Sequence, residues 1–110
     1  MNDDQSCHVE PVVKPLDQAA LEQSLTAVLA VSGMGCPRCA MRVRNSILQL
    51  DGVVLVDVIL ERGLAGVAYD PGKVTTGDLT QAVAAAGNDG HHVYRAEFVQ
   101  NIPSAQAWQV

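Results

Sequence analysis

An α+β sandwich, with a four-stranded antiparallel sheet and two helices on one face, is predicted by three features of this 110-residue chain. Short runs rich in β-branched residues alternate with stretches whose apolar residues recur at helical spacing. Gly and Pro mark the changes from one pattern to the next. The resulting order, β-α-β-β-α-β, is the split βαβ arrangement, in which the long crossover connections are the helices themselves. This is the ferredoxin-like topology.

The elements follow in order. Residues 1–25 read as an acidic arm with Pro11 and Pro15, flexible at its start. Residues 16–25 within it are mostly good helix formers and can make a short helix. The folded domain is expected over residues 26–100. Residues 27–33 read as a strand ending at Gly33. Pro37 opens a helix, since proline is favoured at the first helical position. Ala40, Val43, Ile47 and Leu50 line its inner face, and Arg38, Arg42, Arg44 and Asn45 its outer face. Asp51-Gly52 closes it. Val53–Leu60 and Leu64–Tyr69 read as a hairpin joined by Glu61-Arg62-Gly63. A second helix follows the Asp70-Pro71-Gly72 turn, with Thr75 or Thr76 as N-cap. Leu79, Ala82, Val83 and Ala86 form its buried face, and Gly87 is its stop. His92–Val99 reads as the last strand, and residues 101–110 as a polar tail.

Composition narrows the function. Hydrophobic residues make up 48% of the chain but aromatic ones only 4%, so the core is built from Val, Leu, Ile and Ala. The net charge of −5 sits mainly in the arm, where Asp3, Asp4, Glu10, Asp17 and Glu22 face Lys14 alone. No basic patch or stripe marks a nucleic-acid footprint. No apolar run approaches the ~20 residues of a membrane helix, and the acidic N-terminus lacks the apolar segment of a signal peptide. The three cysteines, Cys7, Cys36 and Cys39, are too few and odd in number for a disulfide framework, and fit a reducing cytoplasm. One soluble cytoplasmic domain is the expectation.

The chemistry concentrates in Gly33-Met34-Gly35-Cys36-Pro37-Arg38-Cys39. Two thiols stand one turn apart where a strand gives way to a helix. A helix N-terminus and nearby basic side chains favour the thiolate, which is both metal ligand and nucleophile. Such a pair can hold one soft metal ion or carry a reversible disulfide.

The surround of this motif resembles the heavy-metal-associated domain. The matching residues are Gly33-Met34 and Cys36-x-x-Cys39 after the first strand, and Val43, Ile47 and Leu50 on the first helix. Gly52-Val53, Val56-Asp57-Val58, Tyr69-Asp70 and Ala86-Gly87 continue the match in order, so that it runs from about residue 27 to residue 99. That family includes copper chaperones, N-terminal domains of copper-transporting ATPases and mercury-binding proteins. The resemblance implies that Cys36 and Cys39 are the metal ligands and that Met34 packs beneath the loop without ligating. It implies a metallochaperone rather than an enzyme, carrying Cu(I) first and Hg(II) or another soft ion second. The implied partner is a metal-transporting P-type ATPase or its own Cys-x-x-Cys domain. Two positions depart from the family. Gly35 stands where zinc-, cadmium- or lead-selective members often have Asp, which counts against those metals. Asn88 follows Gly87 where copper chaperones often place Tyr, Lys, Phe or His near the metal.

The chemistry agrees with a carrier. Soft thiolates select Cu(I) over hard ions, and two sulfurs leave positions open for a partner's thiolates, unlike a closed structural site. The competing class is a thiol–disulfide oxidoreductase, for which Cys36-Pro37-Arg38-Cys39 is a fitting motif in isolation. Against it, thioredoxin-like chains carry the pair on a longer α/β fold opposite a cis-proline loop, and no Pro here takes that place. A metal-binding domain belonging to a larger ATPase or reductase is a third reading.

Several residues admit two readings each. Arg38, Arg42 and Arg44 are either a solvated helix face or a dock for an acidic partner. His91 and His92 either begin a strand in solvent or stand beside the metal loop as additional ligands. Cys7, with His8 beside it, is either a tail thiol or a third sulfur, which would make a tighter, sequestering site or bridge a homodimer through metal. On the sheet, Val56, Val58 and Leu60 are expected to face the helices, leaving Leu55, Ile59, Leu64 and Val28 on the open face. An apolar face of this kind tends to be covered, either by residues 16–25 or by a second copy.

Overall fold

A computed structural model describes residues 11–87 and 93–104. The elements are α1 (Gln18–Gln23), β1 (Leu25–Ser32), α2 (Pro37–Leu48), β2 (Val53–Ile59), a 3-10 turn (Leu60–Arg62), β3 (Leu64–Tyr69), α3 (Thr76–Ala86) and β4 (Arg95–Pro103). The strands form one four-stranded sheet in the order β2-β3-β1-β4, antiparallel throughout. The predicted α+β ferredoxin-like sandwich is therefore the observed architecture, with α1 added ahead of it.

The core lies between the sheet and α2 and α3. Ala27, Leu29 and Val31 from β1, Val56 from β2, and Ala65, Val67 and Tyr69 from β3 meet Val43 and Ile47 of α2 and Leu79 and Val83 of α3 in one cluster. Each fully buried Val, Leu or Ile contributes about 1.5–3 kcal/mol relative to exposure. Local chemistry fixes the boundaries. Pro37 is the first residue of α2, and no acidic residue occupies its first turn. Thr75 caps α3 in a reciprocal box, its hydroxyl accepting from the Asp78 N–H while the Asp78 carboxylate accepts from the Thr75 N–H. Gly63 closes the 3-10 turn in the left-handed region at φ 63°, where the expected strand stops at Ile59 rather than Leu60.

β4 departs most from expectation. It begins at Arg95 and runs to Pro103, pairing with the whole of β1, and an extra residue is accommodated opposite the Val28–Leu29 step. β4 is an edge strand with most of its residues exposed. Its polar stretch Gln100-Asn101 therefore satisfies the sheet without an apolar pattern to announce it.

From Pro11 the arm runs along the β2 side of the molecule. The Val12 N–H donates to Asn45 Oδ1 at 2.9 Å, and Arg44 donates to the Val12 carbonyl at 3.0 Å. Lys14 then donates to the carbonyls of Leu50 and Val53 at 3.1 and 2.7 Å. Burial pulls the Lys14 pKa down, and Asp51 acts in the opposite direction. α1 packs against β2. Its Leu21 is buried, as are Ala68 and Thr26, both on the sheet face turned away from the helices by the β1–β3 register. Leu21 and Ala68 stand outside the main core. One end of the open face is thus covered, while Ile59 at the other end is 38% exposed. A buried hydroxyl cluster, Ser24, Thr26 and Ser104, with oxygens 2.7 Å apart, joins the start of β1 to the end of β4.

Candidate metal centre

β1 ends at Ser32, and Gly33 follows it because no other residue fits there. The Gly33 φ is +98°, and an added Cβ would collide with the Val93 carbonyl oxygen. That close approach brings Val93 and Tyr94 onto the loop between β1 and α2. Gly35 is a different case, since an added Cβ would meet nothing within 4 Å; the absence of Asp there is not imposed by space.

Cys36 is the N-cap of α2 and Cys39 stands in its first turn. The two sulfurs are 3.6 Å apart, beyond the ~2.05 Å of a disulfide, and both thiols are free. Two metal–thiolate bonds of about 2.3 Å placed in line would separate the sulfurs by about 4.6 Å, so a linear ion asks the pair to open by about 1 Å. The two are unequally placed. Cys36 is half-buried, and Cys39 is 3% exposed.

Burial pushes the Cys39 thiol up, but the neighbouring Tyr94 side chain, the Gly35 backbone and the Cys36 thiol and backbone outweigh it, bringing the pKa from 9.0 down to about 7. The N-terminus of α2 faces the same pair, with the Cys39 and Ala40 N–H groups turned to the Cys36 carbonyl at 3.0 and 3.2 Å, and its partial positive charge favours thiolate. Met34 is half-buried and packs against the core, as the family resemblance implies.

The structure thus brings Cys36 and Cys39 together and adds a residue that the sequence reading overlooked. Tyr94 is 2% exposed and its side chain lowers the Cys39 pKa. The sequence signal was an aromatic side chain directly after the loop that returns from α3. Cys7, His8, His91, His92 and Asn88 lie outside the described residues, and among the described residues no group of three or more His, Cys, Asp or Glu is placed to hold a metal. The arginines divide. Arg38 is exposed, whereas Arg44 is taken up by Val12 and Asn45. Asn45, expected on the solvated face, is buried because it anchors the arm.

The heavy-metal-associated domain model matches residues 28–89. The copper chaperone CopZ of Bacillus subtilis (strain 168) is 41% identical over 61 residues, covering 56% of this chain and 88% of the relative. CopZ of Staphylococcus aureus (strain NCTC 8325 / PS 47) is 37% identical over 62 residues, covering 56% and 91%. Among solved structures, a copper binding domain from HMA7, a P-type ATPase, superposes with a TM-score of 0.63 at 26% identity, covering 70% of this chain and 96% of that one. Oxidized MerP from Ralstonia metallidurans CH34 gives 0.56 at 32% identity, covering 68% and 96%.

Proposed function

The chain belongs to the heavy-metal-associated domain family, and from that premise we propose that it binds Cu(I) through Cys36 and Cys39 and delivers it to a metal-transporting P-type ATPase. The observation that carries this reading is the thiol pair at the start of α2, with one member held near a pKa of 7. Each thiol that ligates releases its proton to solvent, and a pKa near neutrality makes that release cheap at Cys39. The likeness to CopZ chaperones and to an ATPase copper-binding domain supports both the metal and the partner.

Delivery is a ligand exchange. An incoming thiolate of the partner forms a bond to the metal as the bond to Cys36 breaks, and Cu stays Cu(I) throughout. Cys36 leaves first because it is the more exposed sulfur, and exposed Arg38 beside it offers positive charge to an acidic partner surface. The protein acts as a carrier in a reducing, cytoplasmic setting and not as an enzyme. Among the described residues, no helix is long and apolar enough to cross a membrane.

Hg(II) is the second reading, favoured by the likeness to MerP and by the same soft donor set. The test is anaerobic titration of the reduced protein with Cu(I) against a chromophoric competitor, beside a Cys36→Ser/Cys39→Ser variant, with Hg(II) as a separate arm. Tight binding of one Cu(I) that vanishes in the double variant is expected. Equal, weak Cu(I) binding by both proteins would overturn the copper reading, and tight binding of Hg(II) alone would put the mercury reading in its place.

A further inference from the structure

β4 is an edge of the sheet, and apolar residues gather on it. Phe98 is 44% exposed, Val99 54%, and Val93, just before the strand, 78%. Between them stand two exposed residues of opposite charge, Arg95 and Glu97. An edge strand is a template for another strand, and charges placed along it ordinarily keep that pairing away.

The ladder decides which backbone groups of β4 face outward. The Val31 N–H donates to the Gly63 carbonyl at 2.7 Å, so Val31 turns its groups towards β3. Its neighbours Ala30 and Ser32 turn theirs towards β4, where they stand opposite Glu97 and Arg95. The Val93 carbonyl, lying against Gly33, keeps the same alternation. Ala96 and Phe98 therefore aim their N–H and C=O groups away from the sheet. The extra residue opposite the Val28–Leu29 step comes only after Phe98, so the ladder is regular from Arg95 to that point.

We propose that a second copy of this chain pairs with this edge, β4 to β4 and antiparallel, about a two-fold axis at Ala96. Ala96 then stands opposite Ala96 of the second copy, and the two exchange a pair of hydrogen bonds. Phe98 comes opposite Tyr94, and Val99 opposite Val93. Arg95 comes opposite Glu97 twice, once on each side of the axis, as an isologous contact requires. Moving the axis by one residue keeps the outward groups matched but sets Glu97 against Glu97 or Arg95 against Arg95, and like charges directly opposite are destabilising. The charges thus select one register. A hollow of about 540 Å³ lined by Ala30, Ser32, Arg95 and Glu97 gives these side chains room. On the helix side Ala96 already packs against the core, and Phe98, opposite the core residue Leu29, shares its face. The pairing therefore extends one apolar layer across the axis and makes an eight-stranded sheet. The two thiol pairs lie at opposite ends of the joined edge, so no metal bridges the copies and each pair stays open to an acceptor. The inference is independent of which ion the thiols carry.

The test is sedimentation equilibrium of the reduced, metal-free full chain at concentrations up to about 1 mM, since the contact is smaller than a standard interface. Wild type is expected to dimerise. Arg95→Glu and Glu97→Arg should each weaken association by on the order of 10-fold or more. An equimolar mixture of the two variants should recover it, because each supplies the sign that the other lacks. Ala96→Pro removes an outward N–H and no bond to β1, and should abolish association in a chain that still unfolds cooperatively in urea. A wild type that stays monomeric throughout, a dimer indifferent to the charge reversals, a mixture that does not recover, or a folded proline variant that still dimerises would each overturn the proposal. Association seen only with Cu(I), and lost in Cys36→Ser/Cys39→Ser, would put a metal bridge in its place.

Discussion

Replacing Tyr94 with Phe removes one hydroxyl from the buried flank of Cys39 and keeps the ring that fills the space beneath the loop. A hydrogen bond to a charged group contributes about 1.5–3 kcal/mol, and a tenfold change in ionisation is about 1.4 kcal/mol. Loss of the Tyr94 hydroxyl should therefore raise the Cys39 pKa from about 7 toward 9.0. The assay is the pH dependence of alkylation of the metal-free protein, with Cys39 followed separately from Cys36 by peptide mass. At pH 7.5 Cys39 in the variant should react several-fold more slowly, and its titration should move upward as a whole. A Cys39 titration that Tyr94→Phe leaves in place would refute the assignment of Tyr94 as a tuning residue.

The same shift has a signature in stability. The folded pKa lies below 9.0, so between about pH 7 and 9 the unfolded chain binds more protons at Cys39 than the folded one. Stability then rises with pH across that window. The contribution is fully present above about pH 9 and is lost as pH falls through about 7, and it amounts to 2 or 3 kcal/mol at most, to order of magnitude. Urea unfolding of the reduced protein at pH 6 and pH 9 should show this rise in wild type and less than half of it in Tyr94→Phe.

Three further outcomes are expected. Gly33→Ala should cost more than about 2 kcal/mol in urea unfolding, since the added Cβ would meet the Val93 carbonyl in a backbone conformation that L residues rarely adopt; a loss under about 0.5 kcal/mol would show that the loop relaxes freely. Thr75→Ala should cost about 1 kcal/mol by removing the acceptor for the Asp78 N–H, with no change in Cu(I) affinity, because α3 starts beside Leu50 and Asp51, past the end of α2 opposite the thiols. Leu21→Ala should cost about 2 to 3 kcal/mol and raise binding of an apolar dye, since Leu21 is buried against the open face of the sheet; unchanged stability and dye binding would mean that α1 contributes no cover.

The fold was legible because its elements obey local rules that agree with one another. Pro37 opens α2, Thr75 caps α3, Gly63 closes the hairpin, and Val43, Ile47, Leu79 and Val83 fall at helical spacing and end in one core. The thiol pair was legible because two cysteines at this spacing are chemically conspicuous. What escaped was set by tertiary contact. Asn45 reads as a solvated helix residue until the arm's Val12 N–H requires an acceptor. Tyr94 reads as an ordinary strand residue until Gly33, lacking a Cβ, lets that backbone approach the metal loop. Gln100-Asn101 reads as tail because an edge strand needs no buried side chains to keep its ladder. In each case the deciding partner lies more than thirty positions away in sequence, and no local pattern encodes it.

The two sulfurs of the pair are not equivalent in their surroundings. A carrier must hold a toxic ion against the medium and yet yield it to a partner, and two thiolates alone set both affinities by one bond strength. Here the pair is already asymmetric. Cys39 is buried, with its pKa lowered to about 7, and Cys36 stands half-buried at the N-cap. On the proposed reading, exchange that starts at Cys36 would keep the ion attached through Cys39 until the partner's second sulfur arrives, so that the metal would never be free. If Tyr94 sustains that anchoring, Tyr94→Phe should speed loss of Cu(I) to a small-molecule chelator at pH 7 more than Arg38→Ala does, whereas Arg38→Ala should slow only transfer to an acidic protein acceptor. Equal effects of the two variants on both rates would dissolve the division between anchor and exit.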